Sequence, residues 1–152
     1  MRYTGILAIA VLAILTACDG KVYDTYRHTS LDGWERNDTL CYDVNKMAHQ
    51  GNYMVELGLR TSYSYPFMAL TLIVDQTILP AGTTVTDTLN CELIKPNHTQ
   101  KTGGISVFQY HTQVRQLNLN ANDSLHITVR HDMKRDILPG ISDVGISIKA
   151  IR

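Results

Sequence analysis

Ser124-Leu125-His126-Ile127-Thr128-Val129-Arg130 alternates polar and aliphatic residues without a break. A period of two places Leu125, Ile127 and Val129 on one side of an extended chain and His126 on the other, which is the pattern of a strand with one buried face. The same alternation recurs at 39–44, 53–60, 67–75, 83–93, 105–111, 114–119 and 144–151. Turn-forming residues separate these runs, among them Asp32-Gly33, Gln50-Gly51-Asn52, Pro80-Ala81-Gly82, Lys95-Pro96-Asn97, Gly103-Gly104, Asn120-Ala121-Asn122-Asp123 and Pro139-Gly140. No stretch past the first turn signal holds a helical period for three turns, and 132–138 is stopped by Pro139-Gly140. Eight short strands at this spacing predict an all-β chain, a single antiparallel β-sandwich over 31–152, jelly-roll or immunoglobulin-like.

Composition agrees with one packed domain. The chain has 152 residues, 44% hydrophobic and 18% charged, with 14 Lys+Arg against 14 Asp+Glu. That length leaves no room for a second domain, and the apolar content excludes a disordered chain. Zero net charge gives no electrostatic grip on phosphates, so no nucleic-acid partner is expected.

The amino terminus reads as a sorting signal. Arg2 precedes an uncharged run from Ile6 to Leu15, too short to span a hydrocarbon core of about 20 residues. It ends in Leu15-Thr16-Ala17-Cys18, the spacing of a bacterial lipobox. Residues 1–17 are therefore expected to be removed as a lipoprotein signal peptide, leaving Cys18 lipidated and 18–30 as a short spacer. A single acyl chain holds only marginally, so two or three make the tether lasting. Cys18 then attaches the domain to an envelope membrane. Asp19-Gly20-Lys21 lacks an acidic run, which favours a periplasm-facing position. Val22, Tyr23 and Tyr26 in the spacer predict that part of it packs as an edge strand, keeping the domain close to the bilayer.

Cys41 and Cys91 would share an oxidising compartment, where a disulfide closing that loop is worth about 4 kcal/mol in the chain-entropy model. The alternation argues the other way: Cys41 turns away from Leu40, Tyr42 and Val44, whereas Cys91 lies with the apolar side.

Chemistry-bearing constellations are sparse. The histidines at 28, 49, 98, 111, 126 and 131 fall on turns and strand ends without ligand spacing, and read as solvent-facing rather than as a metal site. Arg130-His131-Asp132 suggests an orienting triplet, but neighbours on a strand face opposite ways. No Gly-x-Ser-x-Gly elbow is present and no carboxylate pair is singled out by spacing. The chain is expected to be no enzyme and to need no cofactor or metal.

Trp34, Tyr63 and Tyr65 could form an aromatic ledge for a glycan, the alternative function being a lipoprotein of polysaccharide capture. The plainer reading has these rings cover the sheet ends, their polar tips bonded to backbone. Tyr63, Tyr65 and Phe67, with Leu138 and Ile141, are the residues that would meet a protein partner if their loops are exposed; the favoured alternative is that these segments plug the ends of the sandwich. Asp38-Thr39-Leu40, Asp87-Thr88-Leu89 and Asp123-Ser124-Leu125 resemble the acceptor motif of the general O-glycosylation system of Bacteroidota, which marks Thr39, Thr88 and Ser124. Asp-Thr and Asp-Ser also commonly begin strands.

Three stretches in order along the chain resemble the GldH gliding motility lipoprotein family of Bacteroidota. The first is Cys18-Asp19, then Val22-Tyr23-Asp24-x-Tyr26 and Gly33-Trp34-x-x-x-Asp38. The second is Leu57-Gly58-Leu59-Arg60-Thr61-Ser62-x-x-Tyr65-Pro66-Phe67, leading to Asp87-Thr88-Leu89. The third is Met133-Lys134 followed by Leu138-Pro139-Gly140-Ile141-Ser142-Asp143-Val144-Gly145-Ile146. The chain departs from the family pattern at Lys101-Thr102-Gly103-Gly104-Ile105, which lacks a Trp, and at Met133-Lys134, where the family has Met-Arg. The resemblance implies a non-catalytic envelope lipoprotein whose partners belong to gliding or type IX secretion machinery, with no catalytic residues to carry over.

Overall fold

The computed structural model describes residues 20–93 and 107–151, and within them all regular structure is strand. Ten strands occur: β1 (Lys21–His28), β2 (Trp34–Glu35), β3 (Leu40–Val44), β4 (Gly51–Thr61), β5 (Ala69–Leu79), β6 (Thr83–Glu92), β7 (Phe108–Leu119), β8 (Ser124–His131), β9 (Ile137–Leu138) and β10 (Ile141–Ile151). They form two four-stranded antiparallel sheets, β1-β10-β4-β7 and β3-β8-β5-β6, and the small pair β2-β9.

Of the two sandwich types expected, the pairing is that of a jelly roll. Among the eight long strands the first pairs with the last, the second with the seventh, the third with the sixth and the fourth with the fifth. The chain is thus one long hairpin wound into two sheets, with β2-β9 continuing the hairpin between its outer pairs. The alternation read from sequence supplies the core: Val55, Leu57, Leu59, Val144, Ile146 and Ile148 from one sheet meet Leu70, Leu72, Val74, Leu125, Ile127 and Val129 from the other.

Two boundaries differ from the sequence reading. Within the spacer at 18–30, Lys21–His28 form the edge strand β1, as Val22, Tyr23 and Tyr26 predicted, so the sheet takes in residues about ten positions before 31. The predicted strands 105–111 and 114–119 are, from Phe108 onward, one strand, β7; residues 105 and 106 lie outside the described residues. Opposite β4 the register passes from Arg115 to Gln113, leaving Val114 as the extra residue of a β-bulge. A bulge breaks the period of two without ending the strand, and here it turns Arg115 toward the facing sheet.

Arginines stitch both open sides of the sandwich. Arg27 Nε donates to the Cys41 carbonyl at 3.2 Å, joining β1 to β3. On the other side Arg115 grips the Asp87 carboxylate with two bonds of 2.8 and 2.7 Å. The buried Gln76 amide donates to the same carboxylate at 2.7 Å.

Candidate functional site

Strand direction sorts the loops onto two ends. Gly20 and Lys21 lie beside the end of β10, at the end that also holds the loops 45–50, 80–82 and 120–123. The loops 29–33, 62–68 and 132–136 lie at the opposite end, roughly 35 Å away for an 11-residue strand rising about 3.3 Å per residue.

That far end is plugged rather than open. Trp34 is completely buried, its Nε1 donating to the Asp38 carbonyl at 2.9 Å and its ring edge-on to His131 at 5.3 Å. Tyr65 is equally buried, its hydroxyl donating to the Ala69 carbonyl at 2.8 Å. Burial pushes that hydroxyl's pKa up to about 12. Leu138 and Ile141 are buried with them. Gly140 sits at φ +82°, and a Cβ there would collide with the Ser64-Tyr65 backbone, which is why this turn needs glycine.

Trp34 and Tyr65 therefore cover the sheet end with their polar tips on backbone, the plainer of the two readings, and the alternative aromatic ledge does not exist: of Trp34, Tyr63 and Tyr65 only Tyr63 reaches solvent, edge-on to Phe108 at 4.7 Å. The expected partner surface is corrected in the same way, because Tyr65, Leu138 and Ile141 fill the sandwich end and Phe67 is half-buried against Tyr65. The large apolar groups exposed at this end are Leu31, Met68, Val107 and Ile137 together with Tyr63.

Cys41 and Cys91 are free thiols. They lie on β3 and β6, opposite edges of one sheet and three strand spacings apart, about 14 Å against the ~7 Å a disulfide tolerates. That separation excludes the disulfide, in line with the alternation that turned Cys41 away from the apolar side. Burial raises the Cys91 thiol to about 11. His131 departs from the solvent-facing reading: it is buried, Nε2 lies 3.2 Å from the Trp34 carbonyl, and desolvation lowers its pKa. His126 does face outward, 2.6 Å from Asp43. Arg130 bonds Asp75 at 2.6 Å on the outer face, so the triplet at 130–132 is split as strand geometry requires. Among the described residues no three His, Cys, Asp or Glu side chains converge.

Thr39 and Thr88 are exposed and Ser124 is half-buried. Each preceding aspartate already has a structural task. Asp38 accepts from Trp34 through its backbone carbonyl, the Asp87 carboxylate holds Arg115, and the Asp123 carboxylate caps its turn by accepting from the Asn120 backbone amide at 2.8 Å. Cys18 lies outside the described residues, as do His98 and 101–105.

One site was not singled out from sequence. Tyr26, Gly145, Gly58 and His111 form a rank across the four strands β1, β10, β4 and β7, all on the outer face. With two glycines facing each other at the centre of the sheet, Tyr26 lies flat across both. A Cβ on Gly145 would come within 2.7–2.8 Å of three ring carbons. Arg60 stacks over the other side of the ring at 4.0 Å, and Gln109 donates to its hydroxyl at 3.2 Å while lying 3.2 Å from His111 Nε2. The missing side chains leave an open recess of about 550 Å³, rimmed by the ion pairs Lys21–Asp24 (2.7 Å) and Lys149–Glu56 (2.9 Å). The signal for it was a glycine between inward aliphatics, as in Leu57-Gly58-Leu59 and Val144-Gly145-Ile146, which marks close approach of another group in a strand.

The family model described as GldH lipoprotein matches residues 21–148. A "Gliding motility lipoprotein GldH homolog" from Christiangramia forsetii is 24% identical over 151 residues, covering 93% of this chain and 91% of its own. Solved structures are more distant. A domain of the mosquito-larvicidal Cry4Aa toxin of Bacillus thuringiensis overlays 78% of this chain and 19% of its own at 8% identity and TM-score 0.46. The Eiger TNF of S. frugiperda covers 88% and 94% at 13% identity and TM-score 0.34.

Proposed function

The chain belongs to the GldH lipoprotein family, and from that membership we propose that it is a lipid-anchored, non-catalytic interaction module of the bacterial cell envelope. The observation that carries this reading is the distance from anchor to fold: β1 begins at Lys21, three residues after the lipobox Cys18. A lipid on Cys18 holds one end of the jelly roll against the bilayer, in the periplasm-facing orientation favoured by the residues after the lipobox. Tyr63, Leu31, Met68 and Ile137 then project from the opposite end, where protein partners of the gliding or type IX secretion machinery meet the domain. Thr39 and Thr88 are its exposed acceptor hydroxyls for envelope O-glycosylation, with Ser124 the least accessible of the three, an order that mass spectrometry of the native protein tests.

Affinity capture of the tagged, lipidated chain from gently solubilised envelopes tests the module, with Cys18→Ala as the mislocalised control. Motility or type IX secretion components recovered with the wild type alone are the expected result. Equal recovery by Cys18→Ala, or recovery of polysaccharide-uptake proteins instead, overturns it.

A further inference from the structure

We propose that the recess on the outer face of the β1-β10-β4-β7 sheet is a binding site for an acidic saccharide unit, whose charged group is held by Arg60 and His111. This goes beyond the anchored-module reading and does not depend on it, because it rests on the recess alone.

The first argument is charge. Lys21 and Lys149 are neutralised by Asp24 and Glu56. Arg60 has no carboxylate within ion-pair distance among the described residues; its guanidinium is parked on Tyr26 instead. An arginine fork left without an acid, yet held in place by a ring, is preorganised for a carboxylate or phosphate. With three cations, Lys21, Lys149 and Arg60, against two carboxylates, Asp24 and Glu56, the recess keeps a net positive charge.

The second argument is the direction of the donors. The Tyr26 oxygen accepts from Gln109, which leaves its own O–H proton free to donate. His111 stands on the exposed edge strand beside Gln109, and Arg60 lies on β4 directly opposite Gln109. Because the Gln109 amide nitrogen can only donate, His111 Nε2 accepts from it and the ring proton sits on Nδ1; that Nδ1–H, the Arg60 guanidinium and the Tyr26 hydroxyl are the donors lining the β7 side of the recess.

The third argument separates a sugar from a bare anion. Away from Arg60 the walls alternate donor and acceptor through the two ion pairs, with Ser147 beside the glycines on the floor. Hydroxyl groups, which donate and accept at once, match such a wall, whereas an apolar ligand would leave it unsatisfied. A volume of about 550 Å³ lies in the range of small-ligand sites and exceeds what a lone carboxylate fills.

Titrating the purified full chain in deuterated detergent, followed by saturation-transfer NMR, tests this with glucuronate, glucose, acetate and inorganic phosphate as probes. Glucuronate is expected to bind saturably with a Kd of order 1 mM, and glucose and acetate at least about tenfold more weakly. Arg60→Met, which keeps the stem over Tyr26, should weaken glucuronate about tenfold, Arg60→Lys less, and His111→Ala about threefold. If Arg60→Met does not fold, His111→Ala on its exposed strand decides. Acetate or phosphate binding as tightly as glucuronate would reduce the site to a simple anion site and overturn the assignment. So would glucuronate binding that is indifferent to both substitutions, or no saturable binding at all.

Discussion

Gly145→Ala should destabilise the chain only as long as Tyr26 is present. The new Cβ would sit 2.7–2.8 Å from ring carbons Cε1, Cζ and Cδ1 of Tyr26, closer than such contacts allow, so the ring must lift from the sheet. Lifting forfeits the Arg60 stack, about 0.5–1 kcal/mol at a surface site. It also forfeits the Gln109 hydrogen bond, about 0.5–1.5 kcal/mol. The contact between a half-buried ring face and the glycine backbone adds on the order of 1 kcal/mol. Against this, replacing a strand glycine by alanine recovers about 0.5–1 kcal/mol of conformational entropy. The net loss is about 2 kcal/mol, or roughly 6–8 °C in Tm for a domain of this size. In a Tyr26→Ala background the clash is gone and only the favourable backbone contribution remains, so Gly145→Ala should become neutral or stabilise by up to about 1 kcal/mol. Equilibrium guanidinium denaturation of the four proteins in that cycle, with Trp34 emission as the signal, measures the coupling. An equal cost of Gly145→Ala in both backgrounds would refute the reasoning, because the glycine would then serve something other than the ring.

Trp34 is the chain's one tryptophan and is fully buried, so its emission should be blue-shifted and weakly quenched by acrylamide until unfolding; Trp34→Ala should cost about 3–5 kcal/mol. In Cys18→Ala protein Cys41 should react with a thiol reagent within minutes. Cys91 should wait for unfolding, since it is buried and a pKa near 11 leaves only about one thiol in a thousand ionised at pH 8. Arg115→Met should lower the denaturation midpoint at neutral pH. The Arg115 hydrogen bond depresses the Asp87 pKa, so this clasp's stabilisation is complete above the unfolded carboxylate value near 4 and fades as pH falls through the lower folded value. The gap between wild type and variant should therefore close below about pH 4, and a gap constant down to pH 2 would assign the stitching to packing instead.

The strands whose side chains alternate cleanly between core and solvent were legible in the sequence, because burial of one face writes itself into the residue order. Where two demands met on one residue the pattern failed. β1 is only half-buried, with Tyr23 against the core and Tyr26 on the outer face, so its aromatics marked an edge strand without the clean alternation of the inner strands, and nothing in them showed that Tyr26 lies at the centre of the outer face. Val114 broke the period because a bulge was needed to aim Arg115 at Asp87. Trp34 and Tyr65 sit in turn-rich segments, where no period marks which face is buried; the open end of a rolled hairpin must be closed by something large, and these rings close it. The recess escaped notice because its defining feature is two absent side chains, and a glycine in a strand says only that another group comes near, not which one.

The winding of the chain connects these observations. In a hairpin rolled into a sandwich the first long strand must lie beside the last, so β1 is an edge strand that completes a site whose other residues come from β4, β7 and β10. Tyr26 is that contribution: without it Gly58 and Gly145 would leave a bare patch of backbone, Arg60 would lose its support, and Gln109 would lose its acceptor. The same strand begins three residues after Cys18. On the proposed anchoring through Cys18, a pull on the lipid is delivered directly to the strand that carries Tyr26, and β1 is held in its sheet by β10 along one edge alone. If tension at the membrane peels β1, the recess is the first feature to be lost. Hydrogen exchange should accordingly show the amides of β1 opening at lower free energy than those of β4 and β10, and equal protection across all three strands would remove the mechanical link between anchor and recess.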